Sequence, residues 1–323
     1  MHDEEDGPVR FADRLNTAVR RMGNPVLVGI DPRPEDMPPG FLDRFPGDRP
    51  GVAEAIRAFG CGVVDVVAPL VPAVKFQLAF YEAYGPEGLA ALHATAHHAQ
   101  QNGLIVILDG KRNDIGSTAE AYARAYLGKV PVGDRFEPSW QADALTINPY
   151  LGGDGVAPFI KVAAREDKGV FVLVRTSNAS AGEFQDLVAD GRPLYRHVAE
   201  RLSEWAAPYR NESGYSLVGA VVGATYPEQL AELRRALPGV LLLVPGYGTQ
   251  GASGGDVAAA FDDDGLGAII NSSRGLTFAY QRPDLRARHG DHWQAAIEDA
   301  VREMIEDLAL NASAGRLRVD ASG

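Results

Sequence analysis

The run Asp109-Gly-Lys111-Arg-Asn-Asp114 sets two carboxylates and an ammonium within six residues, directly after the apolar stretch LIVIL (104–108). Charges at the end of a buried stretch are costly unless paired, so they mark either an ion-pair network or chemistry. Asp109 and Lys111 are two residues apart, and on a regular strand both side chains leave the same face. A second lysine, Lys75, sits in the similar stretch AVKFQ (73–77). A Lys–Asp–Lys row at a dry strand end fixes each charge and leaves one lysine able to donate a proton. Farther on, GYGTQG (246–251) follows the apolar run VLLLV, and Arg274 stands in NSSRG (271–275). A glycine-rich loop with an arginine one unit later is a phosphate grip: backbone N–H groups, a helix N-terminus and a guanidinium fork converge on an anion. GYGTQG also has the form G-x-G-x-x-G. A dinucleotide fingerprint, however, opens the first βα unit and is followed about 20 residues later by an acidic residue. Here the next strand ends in Asn271 and Arg274.

These groups need a scaffold that brings distant segments to one rim. Eight short apolar runs rich in Val, Ile and Leu read as strands buried on both faces. They are PVLVGID (25–31), AVKFQ (73–77), LIVILDG (104–110), DALTINP (143–149), GVFVLVR (169–175), LVGAVVG (217–223), VLLLVPG (240–246) and LGAIINS (266–272). Amphipathic stretches separate them, among them 52–67, 87–101, 118–127, 195–207 and 227–237, and another over 292–310 closes the pattern. Strand and helix in alternation imply right-handed crossovers and a parallel sheet. Eight such units predict an α/β fold of one domain, a (β/α)₈ TIM barrel over 11–311. Two doubly wound domains are the competing arrangement, but no Pro- or Ser-rich linker divides the middle of the chain. Residues 1–10 and 312–323 are expected to be flexible ends, and 131–141 a loop insertion. In a barrel, function collects at the C-terminal strand ends. These carry Asp31, Lys75, Asp109 to Asp114, Arg175 to Asn178, and the two phosphate segments.

Composition narrows the class. Thirty-one Lys and Arg against 43 Asp and Glu give a net charge of −12, which argues against nucleic-acid and anionic-membrane partners. The single cysteine, Cys61, excludes an intrachain disulfide and a cysteine-rich metal site. It fits a reducing compartment, and the expected location is cytoplasmic. The acidic start MHDEEDGPVR is unlike a signal peptide, and no apolar run approaches the roughly 20 residues of a membrane span. His93, His97 and His98 lack the glutamate of a zinc helix, and Asp262 to Asp264 read as a solvated helix end.

Taken together, Asp109-x-Lys111-x-x-Asp114-Ile115, GIDPRP (29–34), VKFQ (74–77), TSNASAG (176–182), PGYGTQG (245–251) and Arg274 resemble the motifs of the orotidine 5'-phosphate decarboxylase family. The form DGKRNDIGST is similar to the longer bacterial branch. One departure is the spacing from Ser177 to the next glycine, which is longer than in compact members. The resemblance implies a homodimeric enzyme that removes CO₂ from C6 of orotidine 5'-monophosphate (OMP) to give UMP in pyrimidine biosynthesis, with no metal and no organic cofactor. It implies that Lys111 stabilises and protonates C6, that Asp109 lies near the departing carboxylate, and that Lys75 holds Asp109 and reaches the ribose. Asp31 would accept a ribose hydroxyl, and Ser177 would meet the pyrimidine amide. Gln250, Gly251 and Arg274 would bind the phosphate, with 248–255 as a mobile lid. Asp114, accompanied by Thr118, would cross the dimer interface into the partner's site. Three alternatives stand beside this. A magnesium-dependent sugar-phosphate decarboxylase or aldolase of the same superfamily would carry a carboxylate where Lys75 stands. A nicotinamide-dependent oxidoreductase would rest on GYGTQG alone. A barrel that only binds a phosphate ligand would need none of the lysines.

Overall fold

The computed structural model describes residues 10–248 and 251–320. Eight parallel strands close into a barrel: β1 (Val26–Ile30), β2 (Ala73–Gln77), β3 (Ile105–Arg112), β4 (Ala144–Ile147), β5 (Gly169–Arg175), β6 (Val218–Val222), β7 (Leu242–Pro245) and β8 (Ala268–Ser272). Each pairs with its neighbours in sequence, and β8 closes on β1 through the partners Val26↔Ile270 and Leu27↔Asn271. All eight apolar runs are therefore strands of one barrel, and the two-domain arrangement is overturned. Their uniform hydrophobicity follows from the packing. One face fills the barrel and the other meets the helices, so β1 and β6 are buried at every position.

The main helices are α1 (Phe11–Met22), α2 (Arg49–Val67), α3 (Gly85–Gln101), α4 (Gly116–Leu127), α5 (Gly153–Arg165), α6 (Leu194–Ala206), α7 (Pro227–Ala236) and α8 (Trp293–Asn311). Helix α1 precedes the first strand. Its buried stripe of Phe11, Leu15, Ala18 and Val19 recurs at helical spacing, and Gly23, with φ of 64°, ends it. Phe11 plugs the N-terminal end of the barrel, meeting Phe171 edge-on at 6.2 Å. Beside it, Asp143 accepts from Arg14 at 2.9 Å and from the Val106 N–H at 3.0 Å, with Lys168 at 3.4 Å. The second Arg14 nitrogen donates to the Asp167 carbonyl. Helix α8 packs on α2, where Trp293 meets Phe59 at 5.2 Å between centroids.

Two expectations about irregular chain are corrected. The 131–141 segment is not a plain loop: Lys129–Val132 and Arg135–Pro138 pair as an antiparallel hairpin. It follows α4 and so lies toward the N-terminal rim, away from the strand ends that bear the charged groups. Residues 312–320 do not fray. Ser313–Arg316 forms a 3₁₀ turn and Leu317–Asp320 a helical turn, with Ala314 and Leu317 buried in the core. The acidic run is not simply solvated either, since Asp262 accepts from Tyr215 and Asp264 pairs with Arg20. No helix among the described residues is long and apolar enough to cross a membrane.

Candidate active site

The C-terminal rim holds a cavity of about 250 Å³ between β1, β2, β3, β7 and β8. Asp31, Lys75 and Asp109 line one side, and Gly246, Tyr247, Asn271 and Arg274 the other. The strands bring these residues together from positions 243 apart in the chain, Asp31 to Arg274.

Asp109 is the hub. It is 8% exposed, and each of its oxygens takes two donors. Oδ1 accepts from Lys111 Nζ at 2.8 Å and Thr146 Oγ1 at 2.7 Å. Oδ2 accepts from Gln77 Nε2 at 3.2 Å and lies 3.1 Å from Lys75 Nζ. Burial opposes ionisation, but the Lys75 and Lys111 ammoniums outweigh it and hold Asp109 well below the usual carboxylate range. Lys75 is buried too. Desolvation disfavours its charge, yet Asp109 and then Asp31 more than offset this and raise its pKa. Asp31 also accepts the Gln77 N–H at 3.3 Å. The result is a charged row whose Lys75 and Asp109 members are buried, where fixed charge is less screened than in bulk water.

Lys111 reaches Asp109 by a route different from simple alternation. The pairing of β3 with β4 shifts register between Leu108 and Arg112, and Lys111 adopts φ of +46°, a left-handed conformation rare for a side-chain-bearing residue. Thr146 Oγ1 accepts the Lys111 N–H at 3.0 Å and donates to Asp109, holding the bulge. Strain held at a strand end by a polar bracket is characteristic of sites where a side chain must be aimed. The Lys111 side chain is 44% exposed, and it reaches the cavity wall through Asp109 rather than lining the cavity itself.

At the other end, Arg274 opens the short helix Arg274–Thr277, and Thr277 Oγ1 donates to the Gly29 carbonyl at 2.6 Å, tying that helix to β1. Gly29 is needed there because a Cβ would lie 1.8 Å from Ser273 Oγ. Gly246, with φ of 106°, turns the chain out of β7. Among the described residues Arg274 has no ion pair, which leaves its guanidinium free to take an anion.

Of the other residues singled out from sequence, Asp114 and Thr118 lie on the loop and first turn of α4, outside the cavity. Asp114 accepts the Ile115 N–H at 2.8 Å, and Thr118 is exposed. Ser177 follows β5 and packs against Gly223, also outside the cavity lining. Gly251 is exposed and Gln250 lies outside the described residues. Sequence reasoning gave no role to Thr146, Gln77, Arg33 or Tyr247. The first was legible as a lone hydroxyl in an apolar strand, and Gln77 as the last residue of a run that carried a lysine. Arg33 lies over the Phe80 ring at 4.8 Å and lines the cavity. Asn271 lines it as well, and its buried Oδ1 has no hydrogen-bond partner among the described residues. Among the described residues, no three His, Cys, Asp or Glu side chains are grouped to hold a metal ion.

The chain and its fold have relatives among known proteins. Residues 26–288 match the family model described as "Orotidine 5'-phosphate decarboxylase / HUMPS family". The chain is 50% identical over 303 residues to the orotidine 5'-phosphate decarboxylase of Rhodopirellula baltica, covering 92% of this chain and 98% of that one. It is 40% identical over 277 residues to that of Caldicellulosiruptor saccharolyticus, covering 84% and 91%. The solved structure of Leishmania donovani OMP decarboxylase superposes with a TM-score of 0.70 at 32% identity, covering 94% of this chain and 98% of that one. A family model matched over residues 26–288 and a relative 50% identical over nearly its whole length mean that the chain belongs to the orotidine 5'-phosphate decarboxylase / HUMPS family.

Proposed function

We propose that this chain is a carboxy-lyase that converts OMP to UMP and CO₂, acting in the cytoplasm in pyrimidine biosynthesis without metal or organic cofactor. The observation that carries the reading is the Lys75–Asp109–Lys111 row, in which buried Lys75 and Asp109 line a cavity whose far wall bears Arg274, without an ion pair among the described residues. The row suits a reaction with no electron sink. The bond from C6 to the carboxylate carbon breaks, CO₂ leaves, and the electron pair stays on C6. Lys111 Nζ lies beside that carbon, offsets the developing charge and delivers its proton. Asp109 keeps Lys111 protonated and aimed, and Lys75 keeps Asp109 ionised while reaching the ribose. Asp31 accepts a ribose hydroxyl, and Ser177 meets the pyrimidine amide once the base extends toward β5. Arg274, with Gln250 and Gly251, takes the phosphate. Binding energy from that remote group is available to position C6.

The same reading makes the enzyme a homodimer in which Asp114 and Thr118 act in the partner's site. Exposed Ile115 and Leu151 support it: they are apolar, flank Asp114, and are 57% and 44% accessible. Mixing Asp114→Ala and Lys111→Ala subunits should restore part of the activity that each variant lacks alone. No recovery would mean that each site is built from one chain.

The decisive experiment follows the ultraviolet absorbance of OMP with purified protein and EDTA present. Loss of the orotate chromophore with formation of UMP is expected. An unchanged spectrum would remove the assignment. Magnesium-dependent turnover of a keto-sugar phosphate would then put the metal-dependent alternative in its place, against the ammonium of Lys75, which repels a divalent ion from that corner.

A further inference from the structure

Tyr247 lines the cavity next to Arg274, but its hydroxyl points away from it, to a residue that no part of the reaction uses. Tyr247 Oη donates to Asp307 Oδ2 at 2.6 Å. The same oxygen accepts the Gly254 N–H at 2.7 Å. Tyr247 and Gly254 are the two flanks of the glycine-rich segment after β7, so one carboxylate oxygen closes both. Asp307 lies on α8, 33 residues beyond Arg274 in the chain. Its other oxygen accepts from Asn311 Nδ2 at 2.8 Å, and the same amide donates to its carbonyl at 3.0 Å, so the carboxylate is held in one rotamer. The flanks are secured on their inner side as well. Ser272 Oγ donates to the Tyr247 carbonyl at 3.3 Å, and Gly248 N–H donates to the Ala252 carbonyl at 2.8 Å. After Gly254 the chain enters a short helix capped by Ser253 and Asp256. Burial, and then the hydrogen bond to Asp307, push the Tyr247 phenol above its usual range, so the phenol remains a donor wherever the protein is folded near neutrality.

We propose that Asp307 is a positioning residue for the phosphate end of the site: it ties Tyr247 and Gly254 to α8 and thereby sets how tightly the 5'-phosphate is gripped. This rests on the reading of the Arg274 end as a phosphate site. The argument is one of geometry. Phosphate is bound by backbone N–H groups whose directions are fixed only if the flanks of their loop are fixed. A single acceptor shared by both flanks makes their spacing a property of α8 rather than of the loop. A residue that merely stabilised α8 would sit anywhere along it. Asp307 instead gives both hydrogen bonds of Oδ2 to the loop and uses only Oδ1 on its own helix, with Asn311.

The test compares wild type with Asp307→Ala and with Tyr247→Phe, which removes one of the two bonds and keeps the ring. Three quantities are read: kcat/KM for OMP, kcat/KM for the phosphate-free nucleoside orotidine, and the affinity for inorganic phosphate. The expected result is a roughly 10- to 100-fold loss of kcat/KM for OMP in Asp307→Ala, carried mainly by KM, with a smaller loss in Tyr247→Phe. Turnover of orotidine should be unchanged. Equal losses on OMP and orotidine would overturn the proposal, because a general structural role affects both. So would wild-type values for OMP in both variants. If Asp307→Ala does not fold, Tyr247→Phe alone decides by the same ratio. If the wild type does not decarboxylate OMP, the functional reading fails, and phosphate affinity still decides the clasp: weaker binding in the variants supports it and equal binding overturns it.

Discussion

The barrel carries the same charge pattern at both ends, one buried carboxylate between two cations. At the N-terminal rim Asp143 lies between Arg14 and Lys168; at the C-terminal rim Asp109 lies between Lys75 and Lys111. The partners differ in what else they do. Around Asp143 the bonds are consumed by the fold. One oxygen caps the Val106 N–H, and Arg14 spends its second nitrogen on the Asp167 carbonyl, so β3, β4 and the plug helix are stitched together. Around Asp109 the two ammoniums make no other hydrogen bond among the described residues, and Lys75 and Asp109 themselves line the cavity. Charge and burial alone do not distinguish the two rims. The separating feature is what the carboxylate accepts: Asp143 takes a backbone N–H of β3, whereas the donors to Asp109 among the described residues are all side chains gathered at the strand ends.

Substitutions can break or sharpen this contrast. The largest effect is expected from Lys111→Ala, which should lower kcat by about 10⁴-fold or more while leaving the unfolding midpoint near wild type. Substantial turnover in a folded variant would remove the proton-donor role and make the upper row a second clamp. Arg274→Ala should cost about 2–3 kcal/mol in kcat/KM, roughly 30- to 150-fold, as a lost charge-assisted contact. Undiminished UMP affinity in calorimetry would contradict it. Asp143→Ala should lower stability by about 2 kcal/mol, since it orphans a buried N–H between two half-screened cations. Its kcat/KM per folded molecule should stay at the wild-type value, and a specific loss of activity would erase the distinction between the rims. The smallest and most local effect is on pH. Asp109 has a native pKa depressed below its unfolded value, so its contribution is fully present above about pH 4 and is lost as the pH falls toward the native value. Asp109→Asn should therefore flatten the acid limb of a urea-midpoint curve relative to wild type. Parallel limbs would mean that the two lysines do not stabilise the ionised form.

Legibility in the sequence followed the physics of each element. The eight strands were readable because parallel strands covered on both faces become unbroken apolar runs. Lys75, Asp109, Lys111, Asp31 and Arg274 were readable as charged residues within those runs or just after them. The bulge at Lys111 was not, because it depends on the register of β3 against β4 and on Thr146, 35 residues away. Alternation gave the right neighbours there by a wrong route. The 129–138 hairpin was hidden because both of its strands are largely exposed, so no hydrophobic alternation marks them. The tail was hidden because its buried Ala314 and Leu317 lie in a stretch too short to show a period. Ser177 was identified by its place after β5, yet nothing local specifies whether such a residue faces the cavity.

Ring closure has a consequence for how the molecule comes into being. The wall that holds Asp31 is completed only when β8 (Ala268–Ser272) pairs with β1 (Val26–Ile30), and Thr277 then latches onto Gly29. A chain emerging from the ribosome therefore carries Lys111 and Asp109 long before it carries a closed cavity, with β1 leaving one edge unpaired until the last strand arrives. A fragment ending anywhere before residue 268 would be inert and prone to pair with other chains, whereas two halves that each bury a face, supplied in trans, should regain activity as they close the ring.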